Sequence, residues 1–309
     1  SAMRVAQSAT AAEINIYSHR QQFLLQPFLD AFTAETGVET NVVYASKGLA
    51  QRLQAEGEAS PADVILTVDI ARLSEYADLD LLAPVESPVL SANIPANLRA
   101  GDNRWFAFST RARLVAVSKD RVPEGAISNI EDLADPKWQG TICSRKGSHV
   151  YNRSLLASVV AANGADAAEA WAEGLVANFA RKPQGNDRAQ AKAIFEGQCD
   201  VAIMNHYYYG KMLFGDKDEQ RDWANAIRLV FTNQDGRGNH VNISGGGVAK
   251  HSPHRDDAVR FLEFLTSPTA QQLYGEVNFE YPTNPAVSPG GVLSSWGTFK
   301  SDDLAIERL

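Results

Sequence analysis

The order of predicted elements points to an α/β protein of two lobes. Three observations carry this. Strand, helix, strand, helix and strand follow one another within the first 70 of the 309 residues, which is the signature of a parallel sheet with covering helices. The same alternation resumes in the middle of the chain. Between the two halves there is no low-complexity linker, only two long stretches, RWFAFSTRARLVAVS and LVFTNQDGRGNHVNISGGGVA, that read as strands crossing from one lobe to the other. Two such crossings make a hinge and leave a cleft between the lobes.

Each element has a local reason. EINIYS (13–18) alternates polar and apolar residues and reads as a strand. From Gln26, PFLDAFTAETGV predicts a helix with Pro27 in its first turn, an apolar stripe of Phe28, Leu29 and Phe32, and Gly37 past its end. VETNVVYA is a second strand, and SKGLAQRLQAEGE a second helix closed by Gly57. PADVILTVDIARL holds the run Val64, Ile65, Leu66, typical of a strand buried on both faces. In the second half, RLVAVSKDRV, TICSRKG, CDVAIM, IRLVFTN and HVNISGGGVAKHS read as strands. IEDLADPKWQG is a helix broken at Pro136. SLLASVVAANG, AAEAWAEGLVANFA, AQAKAIFEGQ, DAVRFLEFLTS and PTAQQLYGEV are helices. The glycines at 245–247 fit close packing or a hinge.

Composition narrows the function. Apolar residues make up 44% and charged residues 21%, an ordinary globular balance. No apolar run approaches the roughly 20 residues of a membrane span. A net charge of -8 and a pI near 5.3 argue against nucleic acid and anionic membrane surfaces as partners. Ser1 to Met3 read as a tag remnant, and the small polar lead that follows is what remains beyond a signal-cleavage site, so export is expected. Cys143 and Cys199 each flank a predicted strand. A disulfide between them and two separate buried thiols both fit.

Three segments at strand ends or helix starts are rich in oxygen donors and cations: YSHRQQ (17–22), SRKGSHVYNRS (144–154) and NHYYYGK (205–211). Facing lobes would bring them to one cleft, where ligands of open α/β sheets sit. Packing after a strand is served by Phe or Leu, so the run Tyr207, Tyr208, Tyr209 invites a chemical reading. A phenol ionises near pH 10 unless a cation helps it. A small, trivalent, oxygen-loving ion such as Fe3+ supplies that help. Neighbouring tyrosines at a helix start diverge by only about 100°, so both reach one ion, and the helix N-terminus favours the anionic form. A guanidinium such as Arg20 pairs bidentately with a carboxylate or carbonate. His19, His149 and His206 lie beside these motifs and leave a Zn or Cu site as a rival. The phosphate-loop, nucleophile-elbow and HExxH patterns do not occur, so no enzyme is expected.

With INIYSHRQQF, SPADVILTVDIARL, WFAFSTRARLVAVSKDRV, ARKPQGNDRAQAKAIFEGQCD, NHYYYGKML, NISGGGVAKHSP and WGTFKSD, the chain resembles the periplasmic ferric-ion-binding proteins, the substrate-binding components of bacterial iron ABC importers. The resemblance implies the two-lobed periplasmic-binding-protein fold (type II), with lobes joined by two hinge strands. Its expected lobes are 13–109 with 236–286, and 110–235 with 287–309. It implies iron ligation by Tyr151, Tyr207 and Tyr208, and a synergistic anion, carbonate or another, on Arg20. Tyr209, His19, His149 and His206 become surrounding residues, with the two His beside the ligands expected to sharpen iron release in mild acid. Where some family members bring a His or Tyr ligand from the first lobe, this chain has Gln21 and Gln22. The implied protein is a periplasmic monomer that hands Fe3+ to an ABC permease. The alternative is a solute-binding protein of the same fold for a small anion or another metal.

Overall fold

The computed structural model describes residues 11–306 and 309; the opening stretch SAMRVAQSAT lies outside them. The first lobe opens with β1 (Glu13–Ser18), α1 (Gln22–Thr36), β2 (Glu39–Tyr44), α2 (Leu49–Glu56), β3 (Val64–Thr67), α3 (Ile70–Asp78), β4 (Leu82–Ala83) and α4 (Pro88–Asn93). The strand β5 (Phe106–Ser118) leads into the second lobe, with β6 (Ile142–Cys143), α5 (Val150–Asn163), α6 (Ala165–Ala177), α7 (Asp187–Phe195), β7 (Val201–Asn205), α8 (His206–Leu213), α9 (Asp218–Asn225) and β8 (Ile227–Val230). Then β9 (Val241–Ala249) returns, followed by α10 (Arg255–Leu265), α11 (Pro268–Asn278), β10 (Tyr281–Pro282) and α12 (Gly291–Ser295).

The central strand order is β2-β1-β3-β9-β5-β7-β6. β1 runs parallel to β2 and β3, and β6 parallel to β7. The crossing strands are antiparallel to their neighbours, so each lobe has a mixed sheet rather than a purely parallel one. One strand serves both lobes. Phe106 to Ala112 of β5 pair with β9, and Arg113 to Val117 pair with β7. All 13 residues of β5 are buried, because a strand flanked on both edges and covered on both faces meets no solvent.

Side chains alternate across β5, as the two-residue period requires. Val115 and Val117 join Ile142, Leu155 and Trp171 on one face of the second sheet. Leu114 and Ala116 join Ile194, Met204 and Met212 on the other. The first lobe packs Ile14, Ile16, Phe28, Phe32, Ile65 and Phe261 into its own core. The glycines of β9 are there for clearance. A Cβ at Gly245 would lie 2.5 Å from the carbonyl oxygen of Phe106, and at Gly246 and Gly247 it would overlap the carbonyls of Ile65 and Arg104.

Several local expectations shift. α1 starts at Gln22, so Pro27 lies inside the helix. The Pro27 nitrogen carries no hydrogen, so the helix lacks the bond that would have reached the Phe23 carbonyl. The segment read as a broken helix at 130–138 forms two 3₁₀ turns, Ile130–Ala134 and Pro136–Trp138. α3 goes unannounced in the apolar periodicity, although Asp69 caps it by accepting a hydrogen bond from the Ala71 N–H. The segment after residue 287 does not stay in the second lobe. There Trp296 meets the Tyr209 ring edge-on and Phe299 stacks on Phe231, but Ile306 enters the first core.

Cys143 and Cys199 are joined by a disulfide with a Cα–Cα distance of 6.0 Å. Their strands are neighbours: β6 pairs with β7, whose first residue follows Cys199 by two. No helix among the described residues is long and apolar enough to cross a membrane. Closing a loop across a separation of 56 residues removes unfolded-state entropy. A Cys143→Ser/Cys199→Ser variant is therefore expected to lose about 2–4 kcal/mol of stability, read as a lower guanidinium midpoint. An unchanged midpoint would contradict that entropic role.

Candidate metal centre at the tyrosine cluster

Two strand-to-helix junctions build the centre. β7 ends at Asn205 and α8 begins at once, which sets Tyr207 and Tyr208 in its first turn. Tyr151 lies in the first turn of α5, where the His149 side chain accepts the Tyr151 N–H. The phenol oxygens of Tyr151 and Tyr207 approach to 3.2 Å, and the rings of Tyr207 and Tyr208 lie 4.5 Å apart. The Asn205 amide donates to the Tyr207 oxygen at 3.3 Å. Two helix N-termini thus deliver three phenols to one place, each end favouring negative charge.

Buried polar contacts hold these junctions. Asp187, fully buried, accepts the Asn205 N–H at 2.8 Å and the Arg113 guanidinium at 3.1 Å, with Arg145 at 3.4 Å. Arg113 also donates to Asn205 and to Asn152 one residue past Tyr151. One carboxylate and one guanidinium therefore tie β5, α5, α7 and the β7–α8 junction together.

Cations surround the rings. Arg145 and Arg113 lie 5.1 and 5.5 Å from the Tyr151 centroid. Lys211 lies 5.2 Å from that of Tyr207, and Arg188 5.1 Å from that of Tyr208. Arg111 is also buried beside them; it donates to the Ile243 carbonyl at 2.9 Å, and its Nε has no partner. Burial pushes the Tyr207 phenol well above its ordinary value, against the pull of Arg111, and pushes Tyr208 up to about 12. With nothing bound, both are neutral at physiological pH.

Arg20 is placed otherwise than the sequence suggested. Its fork is filled by Glu280, at 2.7 and 2.8 Å, and by Ser244 at 2.6 Å. Burial alone would raise the Glu280 carboxyl, but the Arg20 charge holds it well below the usual carboxylate range. An anion taking this fork would compete with Glu280 for it.

The histidines are separately engaged. His206 is fully buried. Its Nδ1 accepts the Ala112 N–H at 3.0 Å and its Nε2 donates to the Phe279 carbonyl at 2.5 Å. Burial drives it down to about 4. His149 is likewise lowered by burial. His19 lies between Arg72 and the Tyr76 hydroxyl. Tyr209 packs on Trp296, turned from the cluster. Among the described residues no group of three His, Cys, Asp or Glu side chains is arranged to hold a metal. A cavity of about 790 Å³ between α5 and residues 302–305 contains none of the residues singled out from sequence.

Sequence reasoning missed Arg111, Arg113, Asp187, Asn205 and Glu280. The one signal available was the density of Arg in STRARL, which periodicity treats as strand.

Comparison with known proteins identifies the family. The model of the bacterial extracellular solute-binding proteins matches residues 17–272. The chain is 43% identical over 298 residues to iron uptake protein A1 of Synechocystis sp., covering 96% of this chain and 83% of that protein. Ferric iron-binding protein A of Mannheimia haemolytica, solved in an open conformation, superposes with a TM-score of 0.90 at 47% identity, covering 96% and 94% of the two chains. A Trichodesmium protein solved with iron and citrate gives a TM-score of 0.92 at 43% identity, with the same coverage. The chain therefore belongs to the bacterial extracellular solute-binding protein family, in its branch of periplasmic ferric-ion-binding proteins, which bind solutes and are not enzymes.

Proposed function

We propose that this protein is a periplasmic Fe3+ carrier that delivers ferric ion to an inner-membrane ABC permease. The ion is held by the phenolates of Tyr151, Tyr207 and Tyr208. The observation that carries the reading is the convergence of three phenols at two helix N-termini, with the Tyr151 and Tyr207 oxygens 3.2 Å apart. The relatives named for iron uptake and ferric iron binding support it.

The chemistry follows from charge. Three neutral phenols offer little to a hard cation, whereas three phenolates balance Fe3+ completely. Each phenol that ligates gives up a proton, and the surrounding guanidinium and ammonium groups favour the anionic form. We assign the synergistic anion to Arg111 rather than Arg20. Arg111 is buried beside Tyr207 and retains a donor without a partner, and a buried donor left unsatisfied costs stability until something accepts it.

Three outcomes follow. Titrating iron-free protein with Fe3+ should produce an orange-red phenolate-to-iron band that saturates at one ion per chain. Tyr208→Phe should weaken the band and lower affinity by more than the roughly 10–100-fold typical of losing a residue behind a ligand; a colourless wild type would overturn the reading. Because the phenols of Tyr207 and Tyr208 start out protonated, affinity should fall as pH falls, by about tenfold per pH unit for each proton released. A flat profile between pH 8 and 6 in competition with a chelator would exclude phenolate ligation. Arg111→Gln should make iron affinity insensitive to added bicarbonate, and an undiminished bicarbonate response would reject Arg111 as the anchor.

A further inference from the structure

One cavity lies within the second lobe, lined by residues of α5, α6 and β7 and of the loops beside them, and measures about 200 Å³. Its walls are mostly apolar. Leu155, Trp171, Leu175 and Ile203 line it and also belong to the packed core of that lobe. Protein interiors are ordinarily filled to the density of organic crystals, so core side chains that border open space forgo contacts that close packing would give them. Leu156 and Val176 also line it and are 38% and 61% exposed, so the cavity opens to solvent beside them. None of the three tyrosines of the metal centre lines it.

Three polar side chains complete the wall, those of Ser144, Asn152 and Arg145. Two of them are engaged. The Asn152 amide donates to the Ser144 hydroxyl at 3.0 Å, and the Asn152 oxygen accepts from Arg113 at 2.6 Å. Arg145 is held less completely. It reaches Asp187 at 3.4 Å, Arg113 shares that carboxylate at 3.1 Å, and the buried Nε of Arg145 has no partner. Two guanidiniums against one carboxylate leave one positive charge uncompensated at the cavity wall. A buried N–H without an acceptor is destabilising, and a ligand oxygen would relieve it.

We propose that this cavity is a second ligand site, for a small monocarboxylic acid with an aromatic or short branched body. The body replaces water against the Trp171 and leucine walls, and the carboxylate accepts from Arg145. Size and charge select this class together. An apolar cavity of about 150 Å³ takes a benzene ring, so this one holds a single ring or a short branched chain. A guanidinium is well matched to a planar carboxylate. A second carboxylate on the same ligand would be buried against apolar walls at a cost no donor offsets. Apolar walls with a few placed polar groups are the usual make-up of a small-molecule pocket.

Benzoate is the probe, and the protein is used free of iron. Calorimetric titration should give one site per chain, with nuclear Overhauser contacts between the benzoate ring and the Trp171 indole. Benzyl alcohol, similar in shape but uncharged, should bind about tenfold more weakly, the loss expected for one charge-assisted hydrogen bond. Ala172→Leu adds bulk to the cavity wall. It should lower benzoate affinity by about tenfold or more, with circular dichroism and the thermal midpoint showing the variant folded. No binding at millimolar benzoate, binding without contacts to Trp171, or undiminished binding by folded Ala172→Leu would each overturn the site. Equal affinity for benzyl alcohol would overturn the selectivity for a carboxylate and the part assigned to Arg145.

Discussion

Glu280 is the point on which the two-lobed arrangement rests. It is fully buried and accepts hydrogen bonds from Arg20, Ser109, Ser244 and Asn278. Those donors come from the end of β1, from the two crossing strands β5 and β9, and from the end of α11. One carboxylate thus gathers the elements that meet where the chain passes between lobes. A buried ion pair of this kind adds little net stability over apolar packing, but removing one partner costs about 3–5 kcal/mol because the other charge is stranded. The neighbouring residue extends the constraint. Phe279 adopts a left-handed backbone with φ of 57°, unusual for a bulky side chain. Its carbonyl accepts from His206 at the start of the tyrosine helix, and its ring lies so close to Gly210 that a Cβ there would come within 2.6 Å. The first lobe therefore grips α8 directly beside the phenols.

The electrostatic design of the centre has two layers. Asp187 neutralises part of the inner cationic set and fixes the geometry of both junctions. The remaining cations face the phenols with no carboxylate of their own. Burial makes the Tyr207 and Tyr208 phenols poor acids, while the cations around them favour the anionic form. A carboxylate-lined site would carry its charge permanently and attract softer or divalent ions as well.

Much of this was legible in the sequence, and the reasons differ by level. Alternation of strand and helix signals located the long strands and most of the longer helices, because burial on one or both faces imposes its own period, but it left α3, α4, α9 and α12 unmarked. β1 falls on the residues that alternation marked, and the tyrosine run opens a helix as its position after an apolar strand implied. Elements governed by single hydrogen bonds were less visible. The cap at Asp69 and the 3₁₀ turns around Pro136 turn on geometry that composition does not report. The partners of the charged residues were least visible. Arg20 looked available because Glu280 is 260 positions away, and Arg111 looked like part of a strand. Pairing at that separation is a property of topology, which the local pattern does not encode.

The position of the disulfide has a consequence for how a metal is held. Cys143 ends the strand leading to the Tyr151 helix, and Cys199 precedes the strand leading to Tyr207 and Tyr208. The covalent bridge therefore joins the roots of both arms that carry the proposed tyrosine ligands. Donors tethered this way act as one multidentate chelator. Once the first oxygen has captured the ion, the next meets it at an effective concentration set by the tether rather than by diffusion. The crosslink also requires an oxidising compartment, so the two tyrosine-bearing arms are tied together only where the thiols can be oxidised.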